Sequence, residues 1–161
     1  MQVIEGNIFD SEAKYLCHQC NCVTNRAAHL AKDVFAKYAY ANVYNHRPTP
    51  CEPPEGERMG DIIIRGNGED QRFVIAMLAQ YYPGITKFPD GQRDGHKRRH
   101  LAFVECLDKI AAIPDLHSIA FPYCIGCGAA GGSWPLYMQS IMDFATKVDA
   151  TVTVLRLPDD S

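Results

Sequence analysis

Residues 118–134, Ser-Ile-Ala-Phe-Pro-Tyr-Cys-Ile-Gly-Cys-Gly-Ala-Ala-Gly-Gly-Ser-Trp, take an apolar strand directly into a helix through a loop that carries Gly126, Gly128, Gly131 and Gly132. A strand handing over to a helix, in a chain whose strand and helix patterns alternate throughout, points to an α/β arrangement. The loop also has a chemistry. Without Cβ atoms at these positions a ligand can approach the backbone, and successive N–H groups can converge on an anion. Ser133 stands at the N-cap with Pro135 in the first turn, so the dipole of a helix over Trp134 to Lys147 adds positive potential at the loop. An anionic ligand is expected there.

The run Gly126-x-Gly128-x-x-Gly131 also fits the dinucleotide-binding fingerprint, but its place in the chain argues against that use. The fingerprint opens the first βαβ unit of a doubly wound domain and needs an acidic ribose ligand about 20 residues on. Here one strand remains, and Thr151 to Leu157 offers no carboxylate.

At 161 residues with 47% hydrophobic content, the chain is read as a single domain over 1–161 with a sizeable core. A net charge of −3 gives no general basic face, which disfavours an extended nucleic-acid interface. The opening Met-Gln-Val-Ile-Glu-Gly-Asn has neither a charged nor an apolar leader region, and no apolar run approaches membrane-spanning length. A soluble protein with no membrane partner is expected. The seven cysteines, Cys17, Cys20, Cys22, Cys51, Cys106, Cys124 and Cys127, are an odd number in a chain that needs no staples, so a reducing cytoplasmic or nuclear compartment is expected. Cys17/Cys20 and Cys124/Cys127 have the C-x-x-C spacing of zinc ligands, yet both pairs overlap strand ends. They are read as core or site-lining thiols, with no metal and no cofactor.

Strand and helix patterns alternate without repeats. Met1 to Glu5 reads as an edge strand and Tyr15 to Cys20 as a buried one. Leu30, Ala31, Val34, Phe35 and Tyr38 recur at helical spacing, which predicts a helix from Ala27 to about Tyr38. The Pro-rich stretch from Arg47 to Gly60 reads as a loop, and Asp61 to Arg65 and Phe73 to Gln80 as strands joined by a Gly66-Asn67-Gly68 turn. A helix over Leu101 to Ala112, a strand over Ser118 to Tyr123, a helix over Trp134 to Lys147 and a strand over Thr151 to Leu157 complete the chain. The sum is a three-layer α/β/α sandwich around a central mixed sheet. The polar segment from Tyr81 to Arg99 is too long for an ordinary connection, and its basic end, Arg93 and His96 to His100, is a candidate phosphate contact or simply a solvated helix start.

Residues 17–33 form a second polar constellation, at the end of the buried strand and into the first helix. Ligands of open α/β sheets sit at the carboxyl ends of strands, so this loop and the glycine loop are expected to share one cleft. Asn21 offers a donor and an acceptor suited to a sugar hydroxyl, or it closes a turn through its own backbone. His18 is either a core histidine or a base, and His29 falls on the first helical turn.

Taken together, Gly6-Asn7-Ile8, His18-x-Cys20-Asn21, the helix from Ala27, Phe121-Pro122 and the run Ile125 to Trp134 resemble a macrodomain over nearly the whole chain. The similarity is to the branch of terminal ADP-ribose glycohydrolases, antitoxins that reverse DNA ADP-ribosylation, and ADP-ribose-1″-phosphate phosphatases. It implies an ADP-ribose cleft: Asn7 and Ile8 beside adenine, Leu155 packing on it, Ile125, Gly126, Cys127, Gly128, Ala129, Ala130, Gly131 and Gly132 around the diphosphate and distal ribose, and Asn21 near the distal ribose. Two departures stand out. The loop before the first helix reads Asn25-Arg26-Ala27-Ala28-His29 where many macrodomains are glycine-rich, and Tyr81 and Ala129 stand where the glycohydrolases have a lysine and an aspartate. A lysine-adduct mechanism is therefore rejected.

Three functions follow. One is hydrolysis of an ADP-ribosyl ester, a glycoside or the 1″-phosphate at C1″, with Asn21 orienting the ribose and water held by the substrate's own phosphate, His18 or His29. The alternative is a non-catalytic reader of ADP-ribose or an ADP-ribosylated macromolecule. The third, a macrodomain turned to another nucleotide or an RNA end with Arg93, Lys97, Arg98 and Arg99 as phosphate contacts, is disfavoured by the net charge.

Overall fold

The computed structural model describes residues 1–47 and 58–158. Six strands, β1 (Gln2–Glu5), β2 (Tyr15–Cys20), β3 (Ile62–Arg65), β4 (Phe73–Leu78), β5 (Ser118–Pro122) and β6 (Thr151–Arg156), form one sheet in the order β1-β6-β5-β2-β4-β3. Every neighbouring pair is parallel except β3 with β4, so the sheet is mixed, as the alternating pattern predicts. Three α-helices accompany it among the described residues: α1 (His29–Lys37), α2 (His96–Ala111) and α3 (Trp134–Lys147).

The layers follow from strand alternation. On β2 the side chains of Leu16, His18 and Cys20 point one way and those of Tyr15, Cys17 and Gln19 the other. His18 meets Phe35 of α1 edge-on at 5.4 Å, while the Cys17 thiol, pushed well up by burial, lies beside Cys106 of α2. The two helices therefore cover opposite faces. α3 joins α2, with Tyr137 of α3 4.7 Å from Phe103 of α2, which completes the α/β/α sandwich. The central strands fill the core: Leu16, Ile75, Met77, Leu78, Ile119 and Phe121 are fully buried.

Element ends differ from the expected ones where polar residues obscure the pattern. α1 begins at His29 instead of Ala27, because Ala28 is extended and serves as its N-cap. β4 stops at Leu78, where the N–H of Ala79 turns back to the carbonyl of Met77 at 2.9 Å. The largest correction concerns α2, which starts at His96 and not at Leu101. The basic run is its first turn, and Arg99 falls three residues before Ala102 and four before Phe103, on the buried face. Of the Pro-rich stretch, residues 48–57 lie outside the described residues, and Cys51 with them.

Candidate functional site

Because β1, β6, β5, β2 and β4 run parallel, their carboxyl ends line one edge of the sheet in that order. Leu155 near the end of β6 and the loops that follow the other strands bring Asn7, Leu155, the glycine loop, Asn21 and Tyr81 to the same edge in sequence along it. Topology thus places the two polar constellations at one edge of the sheet, where ligands of open α/β sheets sit.

The glycine loop is built from short turns. Cys127 N–H donates to the Cys124 carbonyl at 2.9 Å, Gly131 N–H to Gly128 at 3.1 Å, and Gly132 N–H to Gly126 at 3.1 Å. The N–H groups of Gly126, Ala129 and Ala130 find no acceptor among the described residues, so they are the donors available to an anion. Two glycines are fixed by packing: Gly126 has φ +75°, and a Cβ there would lie 2.6 Å from the Tyr137 ring, while one on Gly132 would lie 2.5 Å from the Gly126 carbonyl. Gly128 differs. A Cβ built on it meets nothing within 4 Å. Ile125 and Ala130 turn inward, Ala129 is exposed, and Cys127 is half-buried, its thiol pushed up to about 12 by burial and then by Cys124. Ser133 occupies the N-cap of α3 with its carbonyl accepting from Leu136 and Tyr137, but its hydroxyl makes no capping bond. Beneath the loop, Gln19 Nε2 donates to Gln80 Oε1 at 2.8 Å, and Gln80 Nε2 to the Tyr82 carbonyl at 2.9 Å.

Asn21 is 7% exposed at the end of β2. Its Oδ1 accepts from Val23 N–H at 3.0 Å, Thr24 N–H at 2.9 Å and the Thr24 hydroxyl at 3.2 Å. The turn-closing reading of this residue holds through its oxygen, and Nδ2 makes no hydrogen bond among the described residues. Tyr44 supports it from below, its hydroxyl accepting the Asn21 N–H at 2.8 Å. Arg47 lies over the Tyr44 ring at 4.5 Å and donates from Nη1 to the Thr24 carbonyl at 3.1 Å. Neither Tyr44 nor Arg47 carried any motif signal.

The two histidines separate. His18 is fully buried between Phe35 and the Cys20 thiol, with Sγ 3.6 Å from each ring nitrogen, and burial pulls its pKa down to about 4. It is neutral at physiological pH and lies inside the α1 layer, away from the edge where ligand would sit. His29 is exposed at the start of α1. Tyr81 is buried at the end of β4, its N–H held by Asp94 Oδ1 at 2.6 Å and its ring beneath the Arg93 guanidinium at 5.2 Å.

At the opposite end of the edge, Asn7 is exposed and caps a short turn by accepting the Phe9 N–H on Oδ1 at 2.9 Å. Ile8 packs into the core at 6% exposure, so its side chain is turned away from the surface of this edge. Leu155 is half-buried with Cδ1 3.6 Å from where a Gly6 Cβ would stand. Beside it, Arg156 lies over the Tyr123 ring at 4.9 Å and Tyr123 meets Trp134 at 4.8 Å. This aromatic group was not singled out in the sequence.

His96, Lys97 and His100 line a cavity of about 450 Å³ with Asp90, Leu136 and Tyr137, behind the glycine loop between the first turns of α2 and α3. Among the described residues no group of three or more His, Cys, Asp or Glu side chains could hold a metal ion. Cys17 and Cys20 cannot share one, because three residues apart on a strand they point to opposite faces. No helix among the described residues is long and apolar enough to cross a membrane.

No protein-family model matches the chain, and no curated protein does. Solved structures do. The macrodomain of Mycobacterium tuberculosis DarG superposes with a TM-score of 0.71 at 17% identity over 99% of both chains. The macrodomain of Thermus aquaticus DarG gives 0.68 at 20% identity over 98% of this chain and 99% of that one. Thermosipho africanus DarTG in complex with ADP-ribose gives 0.65 at 19% identity over 99% of this chain and 42% of that one. The chain has the macrodomain fold.

Proposed function

We propose that this chain binds ADP-ribose along the carboxyl edge of its sheet and hydrolyses derivatives joined through C1″, by positioning the substrate and not by a protein nucleophile. The observation that carries the binding is the order of the edge. Asn7 and Leu155 stand at one end, the unengaged N–H groups of Gly126, Ala129 and Ala130 in the middle, and Asn21 Nδ2 beyond them. Adenine, diphosphate and distal ribose follow in the same order along ADP-ribose. The fold it shares with a DarTG structure holding ADP-ribose supports the same ligand.

Within this reading the chain's residues orient the distal ribose through Asn21 and neutralise the diphosphate through loop N–H groups and the α3 dipole. The buried, neutral His18 leaves water activation to the substrate's own phosphate or to His29. One observation favours a second reading, a non-catalytic reader: Ala129 and Tyr81 bring neither a carboxylate nor an amine to the distal end. Calorimetry with ADP-ribose tests the binding. Product analysis after incubation with ADP-ribose-1″-phosphate and with an ADP-ribosylated protein tests the hydrolysis; binding without any product establishes the reader, and no binding refutes both.

A further inference from the structure

We infer, resting on the ADP-ribose reading above, that Arg99 is a positioning residue for the diphosphate loop and that the 82–95 segment is its brace. Arg99 and Asp94 form an ion pair whose side chains are 2% and 1% exposed. All five guanidinium N–H groups are used. Nε donates to Asp94 Oδ1 at 2.8 Å and Nη2 to Asp94 Oδ2 at 2.7 Å, the forked geometry that arginine forms and lysine cannot. Nη2 also reaches the Tyr82 carbonyl at 3.0 Å, and Nη1 the carbonyls of Gly84 at 2.7 Å and Ala130 at 3.3 Å.

One side chain therefore ties together the end of β4, the long polar segment, the first turn of α2 and the glycine loop. The last tie has a direct consequence for the ligand donors. The Ala130 carbonyl shares a peptide plane with the Gly131 N–H, which donates to Gly128 at 3.1 Å and closes the turn that contains Ala129 and Ala130. Fixing that carbonyl fixes the aim of the two N–H groups between them. Ile85 adds a second contact, its Cγ1 3.2 Å from the place of a Gly131 Cβ.

The backbone of the brace is held in a costly shape, which points to a constraint beyond simple loop closure. Asp94 has φ +66°, a left-handed conformation, and a Cβ on the following Gly95 would stand 2.3 Å from the Pro89 carbonyl. Asp94 also accepts the N–H groups of Tyr81 at 2.6 Å and Tyr82 at 3.3 Å, and its own carbonyl accepts from the Thr86 hydroxyl. The carboxylate is saturated by these partners and by Arg99, so neither residue of the pair has groups left to bind a phosphate itself.

The test is Arg99→Lys in the full chain, which keeps the charge and loses the fork. ADP-ribose affinity should fall by about tenfold while AMP affinity changes by less than about threefold, because adenine contacts lie at the other end of the edge. In the unliganded variant, the amide resonances of Ala129, Ala130 and Gly131 should shift or exchange faster while those of α1 stay in place. A folded Arg99→Lys protein with wild-type ADP-ribose affinity overturns the inference, as does an equal loss for both ligands. Should Arg99→Lys fail to fold, Thr86→Val removes one tie of the brace and should move the same amides and the same affinity ratio less far; no movement there overturns it too. A wild-type protein that does not bind ADP-ribose refutes the proposed function, whereas the unliganded amide measurement still decides whether Arg99 sets the loop.

Discussion

Gly126 and Gly128 lie two residues apart in one loop, and the structure assigns them opposite sensitivities. Gly126→Ala must place a methyl group at φ +75°, which costs an L-residue roughly 1–2 kcal/mol, and must push it against the Tyr137 ring 2.6 Å away, roughly 1–3 kcal/mol more. For a domain of this size each kcal/mol lowers the melting temperature by about 2–4 °C, so a drop on the order of 10 °C is expected. A Cβ at Gly128 meets no atom within 4 Å and no left-handed φ, so the stability of Gly128→Glu should stay within about 0.5 kcal/mol of wild type. Its carboxylate would face the diphosphate. Two unit charges about 4 Å apart near a protein surface repel by about 4 kcal/mol at an effective dielectric of 20, and exposure to solvent reduces this to roughly 1–3 kcal/mol. ADP-ribose affinity should therefore fall by about 5- to 150-fold, read by calorimetry beside a thermal melt, with Gly128→Ser as the uncharged control. Wild-type affinity in a folded Gly128→Glu protein would refute the assignment of this loop to phosphate.

Asn21→Ala should lower turnover more than ADP-ribose affinity, since a ribose misplaced by about 1 Å can cost roughly 100-fold in rate while adenine and diphosphate contacts remain; equal losses in steady-state kinetics and calorimetry would contradict this. Tyr81→Phe should turn over substrate at nearly the wild-type rate, because the Tyr81 side chain has no amine with which to form an adduct on the ribose, and a dead enzyme would move the reacting centre to the loop after β4. His18, held at about 4 when folded against about 6.5 unfolded, binds its proton more readily in the unfolded chain, so its contribution is present at pH 7 and is lost as pH falls through 6.5 towards 4. Urea titrations should show about 2–3 kcal/mol of acid loss between pH 7 and pH 4.5 that His18→Leu lacks, and parallel acid limbs in the two proteins would count against the neutral core histidine. Chelation should leave the melting temperature unchanged, with stoichiometric zinc by elemental analysis as the contrary result.

Periodicity made the sheet and helices legible because each apolar run answers to a single packing face: Val34 and Phe35 fix α1, and Ile141 and Phe144 fix α3. The shared edge was legible for a topological reason. Once Asn21 and the glycine loop each follow a parallel strand, both must emerge at the same edge. What the sequence concealed were polar residues whose partners lie far off in the chain. Arg99 belongs to a run of five basic residues, and only its spacing from Ala102 and Phe103 hints that it alone among them turns inward. Its partner Asp94 lies five residues earlier, across the helix start, where no i to i+4 rule joins them. His18 shows the converse. Its place beside Cys20 and Asn21 at a strand end suggested chemistry, but alternation on β2 sends it to the α1 face with Leu16 and Cys20, while Asn21, one residue beyond the strand, escapes that alternation and reaches the edge. In the proposed function the glycine loop would meet its ligand through main-chain N–H groups, and which of these remain unengaged depends on turns that residue identity alone leaves open.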